Sequence, residues 1–388
     1  MKPAARTLAA IELLDEIIEA ARGGGAAADT LISRYFKARH YAGAKDRREI
    51  RNLVFRAIRR AGERPATGRA ALLGLARDMP ELIETFEGAP PVAGEPVAEA
   101  GVAPAWLLDQ FDPAIPPEER AALLGRAPLD LRVNRLKGTR ADALAELAMA
   151  EPSRWSPLGL RLPEGYRVEQ AEGWRRGLLE IQDEGSQLIC LGCEAAPDML
   201  VVDLCAGAGG KTLALAAEMG NRGRIVASDA DRGRLARMMP RLRRAGVSIV
   251  EARLVNPQRE AAMLSHVAGR ADLVLVDAPC SGTGTWRRNP ETRWRITPER
   301  LARLTALQAR LLDVGAALLR PGGRLVYAVC SLLAEEGRDQ AEALTRRSSL
   351  VAEPAPMPTG TPSGPGLLLS PARDGTDGFF VARWRRPC

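Results

Sequence analysis

The sequence predicts an α/β protein in which an open, largely parallel sheet occupies the second half of the chain, after an all-helical region. Three observations support this class. Residues 199–204 form an apolar run that leads into a glycine-rich turn and a helix-forming segment. Further apolar runs follow downstream and end in acids or thiols. The first 60 residues instead place apolar side chains at helical spacing.

The composition limits the kind of protein and its chemistry. With 388 residues, of which 46% are hydrophobic, the chain has enough material for two or three domains. A net charge of +7 suggests a polyanionic partner if the basic residues cluster. Only two histidines are present, so neither a histidine-based hydrolase nor a histidine-rich metal site is expected. Thiols and carboxylates are therefore the candidate reactive groups.

Six scattered cysteines show no disulfide framework, which favours a reducing cytoplasm. The pair Cys190 and Cys193 has the spacing of a redox or zinc motif, but its apolar neighbours favour packing in a helix. We expect no metal site. The first 20 residues lack the apolar core and cleavage site of a signal peptide, and no run could span a bilayer. A cytoplasmic protein is expected.

Helical patterns cover residues 1–20, 26–39 and 46–61. The third is strongly basic and includes Arg47, Arg48 and Arg51, which could form either a solvated helix face or an RNA contact. Residues 88–104 are rich in Pro, Gly and Ala and predict a linker. Beyond a boundary near residue 125, a strand at 129–134, a helix at 140–149 and a strand at 159–162 predict a small α/β segment.

The glycine-rich turn at 205–210 predicts a binding site for a small ligand. Gly207, Gly209 and Gly210 let the backbone approach a ligand, and the following helix start offers free N–H groups. Asp229 ends the next strand roughly 20 residues later, a placement from which a carboxylate reaches a ribose hydroxyl. Asp229 could instead cap the next helix, but Asp231 can supply that cap.

Two cysteines are expected to meet at the same edge of the sheet. A weaker third strand is predicted at 248–254, and a clear fourth strand at 271–277 leads from Asp277 to Cys280. A fifth strand ends at Cys330. Because ligands of open α/β sheets bind at the carboxyl ends of the strands, an acid and two thiols should lie beside one nucleotide pocket.

Four ordered motifs resemble one family. DLCAGAGGKT, DAPCSGTGTWRRNPETRW, YAVCS and DGFFVARW resemble the Sun/Fmu-type RNA cytosine methyltransferases, and most closely their ribosomal small-subunit methyltransferase B branch, over residues 181–384. The resemblance implies a class I, Rossmann-like methyltransferase domain at 181–388 that uses S-adenosyl-L-methionine. It also implies a NusB-like RNA-binding domain at 1–125, an RNA-binding α/β segment at 126–180, and 5-methylcytosine formation in 16S ribosomal RNA.

The resemblance also assigns roles to individual residues. It makes Cys330 the nucleophile that attacks carbon 6 of cytosine, Cys280 the group that assists breakdown of the covalent adduct, and Asp277 the residue that orients the base. Lys211 could contact the active site or cap helix carbonyls, and a catalytic role for it is not favoured. The cofactor pocket is predicted to include Asp203, Cys205, Ala206, Gly207, Ala208, Gly209, Gly210, Lys211, Asp229 and Asp277.

The chain departs from the family pattern at the third strand. A Gly-Asp pair that often contacts adenine in the family is missing, and only Glu251 stands nearby, so no adenine ligand is assigned. After the fourth strand, residues 286–294 mix cations with tryptophans. Such a loop can bind RNA or pack as an ordered surface loop, and we expect Arg287, Arg288 and Arg293 to contact RNA. The role of the tryptophans stays open.

Three functions compete at this stage. The first is an RNA cytosine carbon-5 methyltransferase, expected to be a monomer with ribosomal RNA as its partner and no membrane association. A DNA cytosine methyltransferase would instead take its nucleophile from the Pro-Cys of the fourth-strand motif. The third is a catalytically silent RNA-binding ribosome-assembly factor with the same fold. Cys330 favours RNA over DNA, and the presence of Cys280, Cys330 and Asp277 favours an enzyme over the silent factor.

Overall fold

A computed structural model of the protein describes residues 1–87 and 89–388; Gly88, the first residue of the predicted linker, lies outside the described residues. The chain forms two compact units. Unit 1 contains Met1–Phe111, Pro116–Arg126 and Thr285–Arg300, and unit 2 contains Asp112–Ile115, Ala127–Gly284 and Leu301–Cys388. The sequence boundaries placed 285–300 in the methyltransferase domain, whereas these residues pack in the helical unit.

Unit 1 is helical, and its core is built from the apolar stripes that the sequence shows. Leu13, Leu14 and Ile17 of the first helix and Ile50 and Ile58 of the third are fully buried. The helices predicted at 1–20, 26–39 and 46–61 are confirmed, with ends that differ by up to three residues. The helices are α1 (Pro3–Gly23), α2 (Ala28–Ala38), α3 (Ala44–Arg60), α4 (Gly68–Ala76), α5 (Ala105–Leu108) and α6 (Pro117–Ala122).

Unit 2 begins with a four-stranded antiparallel sheet in the order β2-β3-β1-β4. The Thr139 hydroxyl and the Asp142 carboxylate form a reciprocal capping box at the start of its first helix. The predicted strands and helix of this segment are present. Its elements are β1 (Leu129–Val133), α7 (Arg140–Glu146), β2 (Glu151–Pro152), β3 (Gly159–Leu162), α8 (Glu172–Arg175) and β4 (Leu179–Ile181).

A nine-stranded sheet follows, and its strands and helices complete the chain. The first elements are α9 (Glu184–Gly192), β5 (Leu200–Asp203), α10 (Gly210–Glu218), β6 (Arg224–Asp229), α11 (Arg232–Ala245), β7 (Val250–Leu254), α12 (Glu260–Met263) and β8 (Ala271–Asp277). The last are α13 (Pro298–Leu318), β9 (Leu319–Val329), α14 (Arg338–Arg347), β10 (Val351–Glu353), β11 (Thr361–Ser363), β12 (Gly366–Leu369), α15 (Pro371–Asp374) and β13 (Phe379–Arg385). Short 3₁₀ turns lie at Pro80–Thr85, Val168–Gln170, Ser265–Val267, Thr283–Thr285 and Pro290–Arg295.

The order of this sheet is β11-β12-β13-β9-β8-β5-β6-β7, with β10 paired to β13. Strands β5 to β9 are parallel, and β13 is antiparallel to β9. Val201, Val202 and Val274 are fully buried, as expected for strands covered on both faces. The five predicted strands are confirmed, and the Rossmann-like parallel sheet with them. The NusB-like character of the helical region stays a prediction.

Candidate active site

The carboxyl ends of four parallel strands bring the predicted reactive groups to one edge of the sheet. Asp203 ends β5, Asp229 ends β6 and Asp277 ends β8, while Cys330 directly follows β9. Since β5 lies between β6 and β8, and β9 lies beside β8, these residues occupy neighbouring positions along the edge. The sheet topology thus creates the juxtaposition that the sequence predicts.

The turn between β5 and α10 has two glycines in the left-handed region, and each has a different reason to be glycine. Gly209 has φ 83°, and a Cβ there would meet Met238 Cγ of α11 at 2.5 Å. Gly207 has φ 57°, and a Cβ there would have no atom within 4 Å. Gly209 therefore lets the turn pack closely on α11, whereas Gly207 borders open space.

Asp229 lies next to this open space and holds the turn. One of its carboxylate oxygens accepts from the Gly207 amide at 2.8 Å, and the other accepts from the Asp231 amide at 2.7 Å. Asp231 caps α11 by accepting from the Arg234 amide at 2.9 Å. The helix-cap alternative for Asp229 is thus taken by Asp231. Each Asp229 oxygen keeps a further lone pair with which to accept a hydroxyl hydrogen.

Asp277 forms an ion pair with Lys211, the second residue of α10. The Lys211 ammonium lies 2.7 Å from the Asp277 carboxylate, whose side chain is 30% exposed. Burial alone would lower the pKa of Lys211, but attraction to Asp277 outweighs it and leaves that pKa above its ordinary value. Lys211 therefore stays positively charged and contacts Asp277 at the sheet edge, which is the first of the two positions considered for it.

The two thiols at the ends of β8 and β9 are in direct contact. The Sγ atoms of Cys280 and Cys330 lie 3.3 Å apart, and both residues are partly buried. Interaction with Cys330, together with burial, raises the pKa of Cys280 well above its ordinary value. We infer that Cys280 keeps its proton and can donate it to the Cys330 sulfur.

A buried carboxylate that the sequence analysis did not single out lies behind the two thiols. Glu336 accepts from the Ser281 amide at 2.8 Å, from the Ser331 hydroxyl at 2.6 Å and also from the Ser281 hydroxyl. Ser281 follows Cys280 and Ser331 follows Cys330 in the chain. The sequence signals a Glu-Glu pair just after the fifth strand, but not which glutamate is buried.

Asp203 is fully buried beneath the glycine-rich turn. It accepts from the Thr212 hydroxyl at 2.6 Å, and burial raises its pKa from 3.8 to about 7. Cys205, in the turn itself, also has a pKa raised well above its ordinary value by burial. Both groups are therefore protonated more easily than in water. This fits residues that stabilise the turn and not residues that make a charged contact.

Cys190 and Cys193 are buried in and directly after α9, where burial raises the pKa of both thiols. Across residues 1–87 and 89–388, no three His, Cys, Asp or Glu side chains are grouped so that they could hold a metal ion. In the same residues, no helix has the length and apolar character needed to cross a membrane.

The loop after β8 differs from its predicted role. Arg293 is fully buried and donates to the Arg59 carbonyl at 3.0 Å and the Ala61 carbonyl at 2.7 Å, at the carboxyl end of α3. A guanidinium enclosed in this way supports the helical unit and is not placed to meet a phosphate. Trp286 and Trp294 are buried as well, so both tryptophans pack inward.

The other basic residues that were predicted to contact RNA lie in different settings. Arg287 is only 7% exposed, while Arg288 is partly exposed. Arg47, Arg48 and Arg51 line a groove of about 400 Å³ between α2 and α3. Arg47 donates to the Ala42 carbonyl, and Arg51 pairs with Asp29 at 2.7 Å. RNA contact by these residues stays a prediction.

Comparison with known proteins identifies the family. The model described as 16S rRNA methyltransferase RsmB/F matches residues 192–385, which is half of the chain. The chain belongs to the 16S rRNA methyltransferase RsmB/F family. A second model, described as the ferredoxin-like domain of RsmF/B-like methyltransferases, matches residues 103–169. The RsmB/F match contains the glycine-rich turn, Asp229, Asp277 and both contacting thiols.

Curated relatives of this RsmB/F family member carry the name ribosomal RNA small subunit methyltransferase B. The protein from Enterobacter sp. (strain 638) is 35% identical over 289 residues, which cover 72% of this chain and 65% of that protein. The protein from Salmonella typhi is 34% identical with the same coverage. This chain therefore matches slightly less than two thirds of the length of these relatives.

Solved structures share the fold. PH0851 is 23% identical with a TM-score of 0.77, covering 100% of this chain and 99% of its own. A methyltransferase homolog protein from Pyrococcus horikoshii is 29% identical with a TM-score of 0.61, covering 69% of this chain and 89% of its own. The likeness to PH0851 extends the shared fold over the whole chain, beyond the region matched by the RsmB/F model.

Proposed function

We propose that this protein transfers a methyl group from S-adenosyl-L-methionine to carbon 5 of a cytosine in 16S ribosomal RNA, through a covalent bond between Cys330 and the base. The observation that carries the proposal is the contact between Cys280 and Cys330 at the sheet edge, beside Asp277. One thiol forms the adduct and the second assists its breakdown. A DNA-type mechanism with Cys280 as nucleophile would leave Cys330 without a role.

The glycine-rich turn fits the cofactor. The space beside Gly207 is open where a Cβ would stand, and Asp229 is fixed at its border by two amide donors. The start of α10 adds unpaired amide donors. We expect this turn to hold the cofactor and Asp229 to accept from its ribose hydroxyls. S-adenosyl-L-methionine, when bound, supplies an electrophilic methyl group at this edge.

Cys330 supplies the electrons that carbon 5 lacks. Its thiolate bonds to carbon 6 of cytosine, and the electron pair of the 5,6 double bond moves to carbon 5, the position that accepts the methyl group. The Lys211 ammonium, 2.7 Å from the Asp277 carboxylate, adds a positive charge to the sheet edge at which this bond forms. The Cys280 thiol, whose Sγ lies 3.3 Å from the Cys330 Sγ, can donate a hydrogen bond to that sulfur.

Asp277 positions the base. Its side chain is 30% exposed and one oxygen binds Lys211, which leaves acceptor capacity for the amino group or a protonated N3 of cytosine. A proton shared between N3 and Asp277 withdraws electrons from the ring and favours attack at carbon 6. Lys211 orients the carboxylate for this contact.

Cys280 is deprotonated more readily after the adduct forms. Its pKa is raised first by the interaction with Cys330, and this contribution disappears once the Cys330 sulfur is bonded to carbon. Cys280 can then lose its proton to solvent and accept the proton of carbon 5. The electrons of that C–H bond restore the 5,6 double bond, and Cys330 leaves as thiolate. The cycle releases one proton and restores both sulfurs.

Ribosomal RNA as substrate is supported by the family, by the names of the curated relatives and by the charge of the chain. The net charge is +7, and a basic groove lies between α2 and α3 of the helical unit. Phosphate contacts of this kind contribute affinity without sequence information. The choice of one cytosine must therefore come from the reactive edge and its surroundings.

The test is transfer of labelled methyl from S-adenosyl-L-methionine to protein-free 16S ribosomal RNA, followed by nucleoside analysis. We expect label in 5-methylcytidine with the wild-type protein and none with Cys330→Ala, while Cys388→Ala, which changes an exposed cysteine, retains activity. Label in another nucleoside would contradict the proposed chemistry. If 16S RNA, other RNAs and partial ribosomal particles all lack label although the cofactor binds, the silent assembly factor becomes the better explanation.

A further inference from the structure

We propose that Glu336 is a positioning residue that holds the Cys280 and Cys330 sulfurs at reacting distance. Its carboxylate joins the two loops that carry these thiols and is fully buried. The effect of Glu336 on turnover rests on the function proposed above. Its effect on the spacing of the two sulfurs does not depend on that function.

Four donors converge on this one carboxylate. Oε1 accepts from the Ser281 amide at 2.8 Å and from the Gln308 side-chain amide at 3.0 Å. Oε2 accepts from the Ser331 hydroxyl at 2.6 Å and from the Ser281 hydroxyl. A carboxylate has about four acceptor positions, so its capacity is filled.

Three of the four donor groups belong to Ser281 and Ser331, the residues that follow the two cysteines in the chain. Ser281 is bonded to Cys280 and Ser331 to Cys330, so each contact to Glu336 restrains a sulfur-bearing residue through one peptide unit. Hydrogen bonds to a charged, buried acceptor are about twice as strong as neutral ones. The Glu336 carboxylate thus restrains both loops, because Ser281 and Ser331 bind the same group.

Glu336 is itself held in place from both directions. Its backbone carbonyl accepts from the Tyr327 hydroxyl of β9 at 2.6 Å. Gln308 of α13 donates to Glu336 and also to the Pro279 carbonyl, next to Cys280, at 2.9 Å. The Glu336 backbone is therefore anchored to β9, the strand that leads to Cys330, and the Glu336 carboxylate is linked through Gln308 to the segment that carries Cys280.

A second link between the same loops is weaker. The Thr283 hydroxyl accepts from the Leu332 amide at 2.9 Å and lies 3.1 Å from the Ser331 hydroxyl. These bonds join neutral groups, and Thr283 lies two residues farther along the chain from Cys280 than Ser281 does. Loss of Glu336 should therefore loosen the sulfur spacing while Thr283 keeps the loops folded.

The test compares Glu336→Gln with Glu335→Gln, a matched control at the adjacent exposed glutamate. Glutamine has the size of glutamate, but its amide nitrogen cannot accept a hydrogen bond. Whichever way the amide group is turned, its nitrogen replaces one of the two carboxylate oxygens, and the hydrogen bonds to that oxygen are lost. In glutathione buffers of varied ratio, Cys280 and Cys330 form a disulfide as one glutathione disulfide becomes two reduced glutathiones. The equilibrium gives the effective concentration of one thiol at the other, with the linked peptides identified by mass spectrometry.

We expect the effective concentration to fall at least tenfold in Glu336→Gln and to stay at the wild-type value in Glu335→Gln. Methyl transfer should fall in the same variant, with the covalent protein–RNA adduct persisting because Cys280 is no longer aligned. A folded Glu336→Gln variant with unchanged effective concentration would overturn the proposal. If wild-type protein makes no 5-methylcytidine, the proposed function fails, but the thiol measurement still decides the role of Glu336.

Circular dichroism establishes whether Glu336→Gln is folded. Should it not fold, Ser331→Ala removes one donor from the carboxylate and leaves the other three in place. We expect a smaller fall of the effective concentration in Ser331→Ala, by about threefold to tenfold if one such bond contributes about 1 kcal/mol. An effective concentration equal to that of the wild type in this variant would likewise overturn the positioning role.

Discussion

Substitutions at Gly207 and Gly209, the two left-handed glycines of the glycine-rich turn, should distinguish an effect on stability from an effect on the proposed cofactor binding. Replacing either by alanine places a Cβ in the left-handed region, which costs about 1–2 kcal/mol. At Gly209 the new Cβ would also meet Met238 Cγ at 2.5 Å, and Met238 is fully buried. Overpacking of this kind adds about 1–3 kcal/mol. We therefore expect Gly209→Ala to lose about 2–5 kcal/mol of unfolding free energy and Gly207→Ala about 1–2 kcal/mol.

Cofactor binding should show a different pattern. A methyl group at Gly207 projects into the open space, so Gly207→Ala should weaken S-adenosyl-L-methionine binding at least tenfold, or about 1.4 kcal/mol. Gly24, which ends α1 with φ 74° and also has no atom within 4 Å of its Cβ position, is a matched control. Gly24→Ala should have the same cost in stability and no effect on binding.

Urea unfolding without cofactor and calorimetric titration with S-adenosyl-L-methionine measure the two effects. Wild-type affinity in folded Gly207→Ala would refute the assignment of the open space to the cofactor. Equal losses of unfolding free energy in Gly207→Ala and Gly209→Ala would refute the packing argument for Gly209.

Three further predictions concern the reactive edge. Cys280→Ala should accumulate a covalent protein–RNA adduct on denaturing gels, because Cys330 still attacks but no thiol accepts the carbon 5 proton; normal turnover without adduct would remove that role. Lys211→Met should lower kcat/KM for methyl transfer by about 10²-fold or more, because Asp277 loses its partner. Since Asp277 is partly exposed, the loss of unfolding free energy should be smaller than for a fully buried ion pair. Unchanged kinetics would contradict the positioning of Asp277 by Lys211. Burial raises the pKa of Asp203 from 3.8 to about 7, so the folded state binds a proton at Asp203 more tightly than the unfolded state does. The resulting contribution to the free energy of unfolding is fully present below about pH 4 and is lost as the pH rises to about 7. Asp203→Asn should therefore gain stability relative to wild type across that range, by on the order of 4 kcal/mol at most, and a flat difference in urea unfolding would contradict the raised pKa.

The strands and the turn could be predicted because their signals are local. The strand predicted at 224–229 matches β6, and that at 271–277 matches β8, since both are continuous apolar runs that end in an acid. The turn from β5 to α10 follows from glycine spacing alone. Parallel topology then places Asp229, Asp277 and Cys330 on one edge without any side-chain detail.

The loop at 286–294 shows why charge in the sequence does not identify a binding surface. Its arginines and tryptophans suggested RNA contact, yet Arg293 donates to backbone carbonyls at the end of α3, and Trp294 packs in the helical core. The local sequence does not show whether an arginine donates to the unpaired carbonyls at a helix end or binds phosphate. Only the residues far away in the chain distinguish them.

The order of apolar runs, glycines and reactive residues along the chain was therefore sufficient to predict the sheet, the glycine-rich turn and the contact of the two thiols. Only the tertiary structure determined which polar side chains contact each other. Lys211 pairs with Asp277, 66 residues away in the chain, and Glu336 binds the residues next to both thiols. The physical reason is that periodicity and turn chemistry act over a few residues. Burial of a charge requires donors that the fold gathers from several separate segments.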